Sequence, residues 1–336
     1  MSGTTQSGLY RSWILGTGSF LPEKKLTNYD LEKIVETNHD WIVERTGIHS
    51  RSIAEKGVAT SDLALIASQN ALEMAKLTAK DIDMILFATV SPDFPMPSSA
   101  CELQRKLGAR NVMAFDLSAA CTGFLYGLSI ADQFIRTGQC KNILVVGAEI
   151  LHNWVNYEDR QTCILFGDAA GAAIVSRAPE NSSSGILSTH MYAEGELADL
   201  LYIPAGGSKT PNTKETIETH QNKVVMKGRE IFKHAIRTMS TCCDIALTAN
   251  NMQKADVNWV IPHQANTRII EGVAKHFGVS MDKVILEIED MGNTSAATIP
   301  VALDRAVRDG RIQRGQNILM TAFGAGLTSG SALMRF

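Results

Sequence analysis

The chain has 336 residues, of which 45% are hydrophobic and 20% charged, with a formal net charge of −3. That is ordinary globular composition, with apolar material for a large core and length enough for two units. Nothing global attracts nucleic acid or an anionic membrane, and no run approaches the roughly 20 apolar residues of a membrane span. The opening stretch, residues 1–11, is polar and has no basic region leading into an apolar one, so it reads as a disordered start and not as a secretory signal.

In chain order, a helical pattern over residues 61–74 leads to strand-like runs at 84–90 and 112–117, a helix at 123–136 and a strand at 142–147. After a linker of low hydrophobicity at 177–185 come a helix at 229–247, a strand at 259–262 and a helix at 267–277. A strand at 284–288, a helix at 298–308 and a strand at 317–322 complete the series. The strand runs are almost continuously apolar, as buried strands are, and their alternation with helices predicts a layered α/β architecture. The linker sets a boundary between halves at 1–178 and 179–336.

The halves look alike. Asp81-Ile82-Asp83-Met84 resembles Asp256-Val257-Asn258-Trp259, and Lys141-Asn142-Ile143-Leu144 resembles Gln316-Asn317-Ile318-Leu319. Cys121 opens a helix that ends at Gly138, and Asn293 opens one that ends at Gly310, over equal intervals. This register predicts a duplicated α/β unit with Cys121 and Asn293 at equivalent helix starts, facing one cleft.

Six cysteines occur with no C-x-x-C pair, which predicts reduced thiols and no zinc site. Cys121 stands apart. It follows a strand and the small residues Ser118-Ala119-Ala120, and a helix follows it. At a helix start, a thiol is expected to have a lowered pKa and to act as a nucleophile. His263 follows the strand at 259–262, in Pro262-His263-Gln264-Ala265-Asn266, where Gln264 and Asn266 are candidate side-chain donors. Asn293 lies in Gly292-Asn293-Thr294-Ser295. A cysteine that accepts an acyl group, with two neutral donors beside it, makes a site for thioesters. Gly16-Thr17-Gly18 lacks the further glycine and acidic residue of a dinucleotide site.

The segments 119–124 (Ala-Ala-Cys-Thr-Gly-Phe), 166–172 (Phe-Gly-Asp-Ala-Ala-Gly-Ala), 262–266 and 292–297 resemble the ketoacyl-acyl-carrier-protein synthase III family of the thiolase superfamily. Segments 41–48 and 330–336 agree. The resemblance implies a thiolase-like fold of duplicated α/β halves in a layered αβαβα sandwich. It implies a cytoplasmic homodimer that condenses an acyl-CoA, with acetyl-CoA the expected starter, with malonyl-acyl-carrier protein, through Cys121, His263 and Asn293. No resident cofactor or metal is implied, CoA thioester being a substrate.

The backbone N–H groups of Cys121 and Ala325 resemble the oxyanion hole, although the family commonly has glycine at the position of Ala325. Phe323 resembles the aromatic residue beside the nucleophile. The resemblance further places Thr37, Trp41, Arg45, Arg160, Phe232, Asn266 and Arg268 around CoA. Lys233, Arg268 and Lys275 fall at the carrier-protein contact, and Met96 falls in the partner's acyl pocket. A condensing enzyme of secondary metabolism with a different starter or extender is the alternative.

Overall fold

The computed structural model describes residues 9–336; residues 1–8, which hold most of the opening polar stretch, lie outside the described residues. Strand β1 (Ser12–Phe20) is followed by a short antiparallel pair, β2 (Lys25–Thr27) and β3 (Ser50–Ser52), between which lie α1 (Asn28–Leu31) and α2 (His39–Thr46). Then come α3 (Thr60–Ala75), β4 (Met84–Ala88), α4 (Ser99–Leu107), β5 (Met113–Leu117), α5 (Gly123–Arg136), β6 (Asn142–Glu149) and β7 (Ala169–Arg177). The chain continues through β8 (Gly185–Ala193), β9 (Leu201–Tyr202), α6 (Lys214–Glu218), β10 (Val225–Met226) and α7 (Gly228–Ala249). It ends with β11 (Trp259–Pro262), α8 (Thr267–Phe277), α9 (Thr298–Arg308), β12 (Asn317–Gly324) and β13 (Thr328–Arg335).

One sheet has the order β1-β7-β6-β4-β5, with β4, β5 and β6 parallel and β1 and β7 antiparallel to their neighbours. The other has the order β8-β13-β12-β11, in which β11 and β12 are parallel. Helices α5 and α9 touch both sheets, whereas α3 and α4 cover the outer face of the first and α7 and α8 that of the second. The fold is therefore the layered αβαβα sandwich of the thiolase-like class. A core that includes Phe124, Leu128, Val145, Ile299, Leu303 and Met320 fills the middle layer. Burial on both faces explains the unbroken apolar runs: every residue of β6 is buried. Among the described residues no helix is long and apolar enough to cross a membrane.

The halves repeat, but not in the register that the equal intervals suggest. The residue pairs 84/259 and 143/318 occupy matching places in the two sheets and share one spacing of 175 residues. Ala120 and Ser295 share the same spacing, and each is a non-glycine residue of positive φ (45° and 49°) that opens a short 3-10 turn before a helix. Ala296 is thus the counterpart of Cys121, and Asn293 lies two residues before the matching turn. The equal intervals arise because α9, with 11 residues, is shorter than α5, with 14, and the connection that follows it is longer.

The strand expected at 284–288 is also absent. Val284 makes a single parallel bridge to Val260, and Ile288–Asp290 is a 3-10 turn. The reason is Gln264. Its amide N–H groups donate to the Pro262 carbonyl (2.7 Å) and the Ile285 carbonyl (3.1 Å), and its Oε1 accepts the Glu287 N–H (2.8 Å). A buried side chain replaces the next rungs of the ladder, so Gln264 is structural and not a donor to substrate.

The two 3-10 turns meet where backbone packs on backbone. A Cβ on Gly147 of β6 would lie 2.2 Å from the Ala296 carbonyl oxygen. Gly147→Val is therefore expected to cost about 1–3 kcal/mol by overpacking, read from urea unfolding. Gly195→Ala, where a Cβ meets nothing within 4 Å, should stay within about 0.5 kcal/mol. Equal stabilities for the two variants would show that the turns do not pack as described.

Candidate active site

Three connections at the same end of the sandwich converge on one cavity of about 750 Å³, lined by Cys121, His263, Asn293, Phe323 and Gly324 at its floor. Cys121 sits in the turn between β5 and α5, held by Ala119, whose carbonyl accepts the Thr122 hydroxyl (2.6 Å) and the Thr328 hydroxyl (3.0 Å). Glycine at 324 lets β12 end against Cys121, since a Cβ there would lie 2.7 Å from the Cys121 nitrogen. Ala325 is half-buried beyond Gly324 and does not itself line the cavity.

Cys121 is only 7% exposed, and burial pushes its thiol up to about 12; the Ser295 hydroxyl lowers it and the charge of Glu149 raises it further. This reverses the expectation of a lowered thiol pKa. The start of α5 contributes a fraction of a charge, whereas removing a thiolate from water costs more. Glu149 is itself buried, and burial pushes its carboxyl up to about 7 despite donors from Ser91 Oγ (2.5 Å) and Thr89 Oγ1 (3.0 Å).

His263 follows β11, tied by its N–H to the Thr321 carbonyl (2.8 Å), and it is 3% exposed. Burial pushes the imidazole down to about 3, so it is neutral at physiological pH. Its Nδ1 lies 2.7 Å from Thr298 Oγ1. Asn293 is fixed at both backbone groups: its N–H donates to the Leu165 carbonyl (2.8 Å) and its carbonyl accepts the Gly167 N–H (3.0 Å). Its Oδ1 accepts the Ser295 N–H (2.9 Å), which leaves the amide NH₂ for the cavity. Behind this segment lies Arg51, fully buried with no carboxylate partner. Its Nε donates to the Ile164 carbonyl (2.9 Å), its Nη1 donates to Asn28 Oδ1 (2.5 Å), and its stem packs on Gly292.

The cavity opens through a basic mouth. Helix α2 carries Trp41 and Arg45, capped by Asn38 at its start and by Gly47 (φ 72°) at its end. The guanidinium groups of Arg45 and Arg160 lie 4.6 and 4.9 Å from the Trp41 ring centre. The Trp41 ring thus packs against two arginines. Phe232 and Lys233 of α7 and Arg268 of α8 also line the mouth, with Arg268 5.7 Å from the Phe232 ring centre. Asn266 lines the wall, but its amide is committed: it caps α8 by accepting the Arg268 N–H (2.8 Å) and donates to the Arg45 carbonyl (2.8 Å).

Thr37 and Lys275 fall outside the lining. Thr37 is half-buried with no hydrogen-bond partner for its hydroxyl, and Lys275 is exposed on α8. Sequence reasoning missed Arg229, which lines the mouth. Its place four residues before Lys233, on one face of α7, is the signal that finds it.

Comparisons with known proteins identify the family. Residues 115–195 match the model of 3-oxoacyl-[acyl-carrier-protein] synthase III, and residues 247–336 match that of its C-terminal region. The chain is 50% identical over 323 residues to a beta-ketoacyl-[acyl-carrier-protein] synthase III of Caldanaerobacter subterraneus, covering 96% of this chain and 97% of that one. It is 51% identical over 325 residues to a beta-ketoacyl-[acyl-carrier-protein] synthase III of Vibrio vulnificus, covering 97% and 99%. The crystal structure of a 3-oxoacyl-[acyl-carrier-protein] synthase III from Aquifex aeolicus superposes with a TM-score of 0.89 at 46% identity, covering 97% of this chain and all of that one. With these matches over nearly its whole length, the chain belongs to the 3-oxoacyl-[acyl-carrier-protein] synthase III family.

Proposed function

We propose that the protein starts fatty acid synthesis by condensing an acyl-CoA with malonyl-acyl-carrier protein, through an acyl-Cys121 intermediate. The observation that carries this reading is a floor with one thiol and two neutral donors, and no charged side chain, below a basic mouth. In the first half-reaction the Cys121 sulfur attacks the acyl-CoA carbonyl, with the N–H groups of Cys121 and Ala325 on the oxyanion. The C–S bond to CoA breaks, and the proton lost by Cys121 ends on the CoA sulfur.

In the second half-reaction the malonyl thioester carbonyl sits on the N–H groups of His263 and Asn293. Loss of CO₂ leaves an enolate there, and its carbon attacks the acyl carbonyl. Cys121 leaves as a thiolate and takes one proton from solvent. A buried thiol with a pKa of about 12 favours that reprotonation. Neutrality of the donors suits the step as well. A cationic imidazole in this dry cavity would hold the incoming malonyl carboxylate, whereas neutral N–H groups favour the developing enolate oxygen. No resident cofactor is required.

The mouth fits CoA and a carrier protein. Trp41 and Arg160 would open to take the adenine between them, with Arg45 and Thr37 beside it, and Phe232, Asn266 and Arg268 would follow the pantetheine. Arg229, Lys233, Arg268 and Lys275 form the patch for an acidic carrier protein. We further assign a cytoplasmic homodimer. The six free thiols suit a reducing compartment. Strand β5 is a sheet edge that exposes Met113 and Phe115, next to Phe94 (52% exposed) and Met96 (86% exposed). Such an apolar edge calls for a covering chain, and Met96 would then reach the partner's acyl pocket.

Three outcomes are expected. Cys121→Ala abolishes acyl transfer, whereas His263→Ala and Asn293→Ala keep acylation and lose condensation by about 10²- to 10³-fold, as removal of an oxyanion donor does; full condensation by Asn293→Ala would refute its role. The iodoacetamide rate at Cys121 should rise about tenfold per pH unit from 7 to 9, because the thiolate fraction grows tenfold per unit below the pKa; a plateau near pH 7 would show a depressed thiol instead. In sedimentation velocity the protein should run as a dimer and Phe115→Glu as a monomer, and a wild-type monomer would remove the dimer assignment.

A further inference from the structure

The Thr298 hydroxyl, at the first residue of α9, is fully buried and has two acceptors in reach: His263 Nδ1 at 2.7 Å and the Ser295 carbonyl at 3.0 Å. It has one proton to give. If the proton goes to Ser295, the hydroxyl oxygen must accept from Nδ1–H, and Nε2 presents a bare lone pair to the cavity. If the proton goes to Nδ1, Nε2 carries the ring proton. The Ser295 carbonyl does not need the hydroxyl, because the backbone N–H of Thr298 already donates to it.

We propose that Thr298 is a positioning residue that donates to His263 Nδ1 and so fixes the imidazole as the Nε2–H tautomer, with its donor aimed into the cavity. The same turn sets the second donor, since the Ser295 N–H takes the Asn293 amide oxygen and turns the NH₂ inward. Residues 295–298 thus polarise the floor as donors only, which is the polarity an enolate oxygen needs and a general base lacks. His263 then acts on the malonyl carbonyl in the second half-reaction and is not the base for the Cys121 thiol in the first. This inference rests on the function proposed above.

The test is the tautomer itself. In protein labelled with ¹⁵N-histidine, with the His263 resonances assigned by their absence in His263→Ala, long-range ¹H–¹⁵N correlation should place the ring proton on Nε2. A proton on Nδ1 would overturn the inference. Thr298→Val should lower the condensation kcat by about 10- to 100-fold, the usual worth of an outer partner of a working imidazole. The KM for malonyl-carrier protein should hold, acylation should fall far less than condensation, and Thr298→Ser should recover most of the rate. Condensation by Thr298→Val at the wild-type rate would equally overturn it. If Thr298→Val does not fold, the wild-type spectrum still decides. A wild-type enzyme that condenses with Nδ1 protonated refutes only the inference; one that never decarboxylates malonyl-carrier protein refutes the function as well.

Discussion

The approach of two turn–helix connections across the middle layer is the constraint on which the rest of the structure depends. One carries Cys121 and the other runs from Asn293 to Thr298. They meet because glycine stands where a side chain would strike backbone: Gly147 beneath the Ala296 carbonyl and Gly324 against the Cys121 nitrogen. The strained φ at Ala120 and Ser295, one in each turn, belongs to the same arrangement. Duplication supplies two similar turns, and they have diverged. One holds the sulfur, and the other orients a carboxamide and an imidazole that come from outside it.

Burial follows from that approach and determines the chemistry. A thiol pushed to about 12 and an imidazole pushed to about 3 leave the floor uncharged. Charge sits instead at the mouth, on Arg45, Arg160, Arg229, Lys233 and Arg268. The two regions divide the work. In the proposed function the mouth would attract and hold large anionic carriers, and the dry floor would act on the thioester with fixed dipoles.

Much of this was legible in the sequence. The strands at 84–88, 142–149, 259–262 and 317–324 follow from apolar runs buried on both faces, and the strand at 113–117 follows from an apolar run at the sheet edge. The placing of Cys121 between strand and helix was equally plain. What failed did so for physical reasons. The run at 284–288 has the composition of a strand, but its rungs are taken by the Gln264 side chain, a long-range replacement that no local pattern records. The match of Cys121 with Asn293 relied on helix ends, and a helix shortened by three residues disguised the true register. The lowered thiol pKa was inferred from the helix start alone, and desolvation, which depends on everything packed around the sulfur, outweighed it. Thr298 and Arg51 carry no signal in sequence, because their importance lies in what they touch.

The central claim is that an acyl group rests on one buried sulfur between the two half-reactions. The most direct test is to expose the protein briefly to acetyl-CoA without malonyl-carrier protein, quench in acid, and read the intact mass and the peptide that holds the modification. One added acetyl group per chain is expected, on the peptide containing Cys121, and it should disappear when malonyl-carrier protein is supplied before the quench. An unmodified chain, or an acetyl group on any of the other five cysteines, would contradict it.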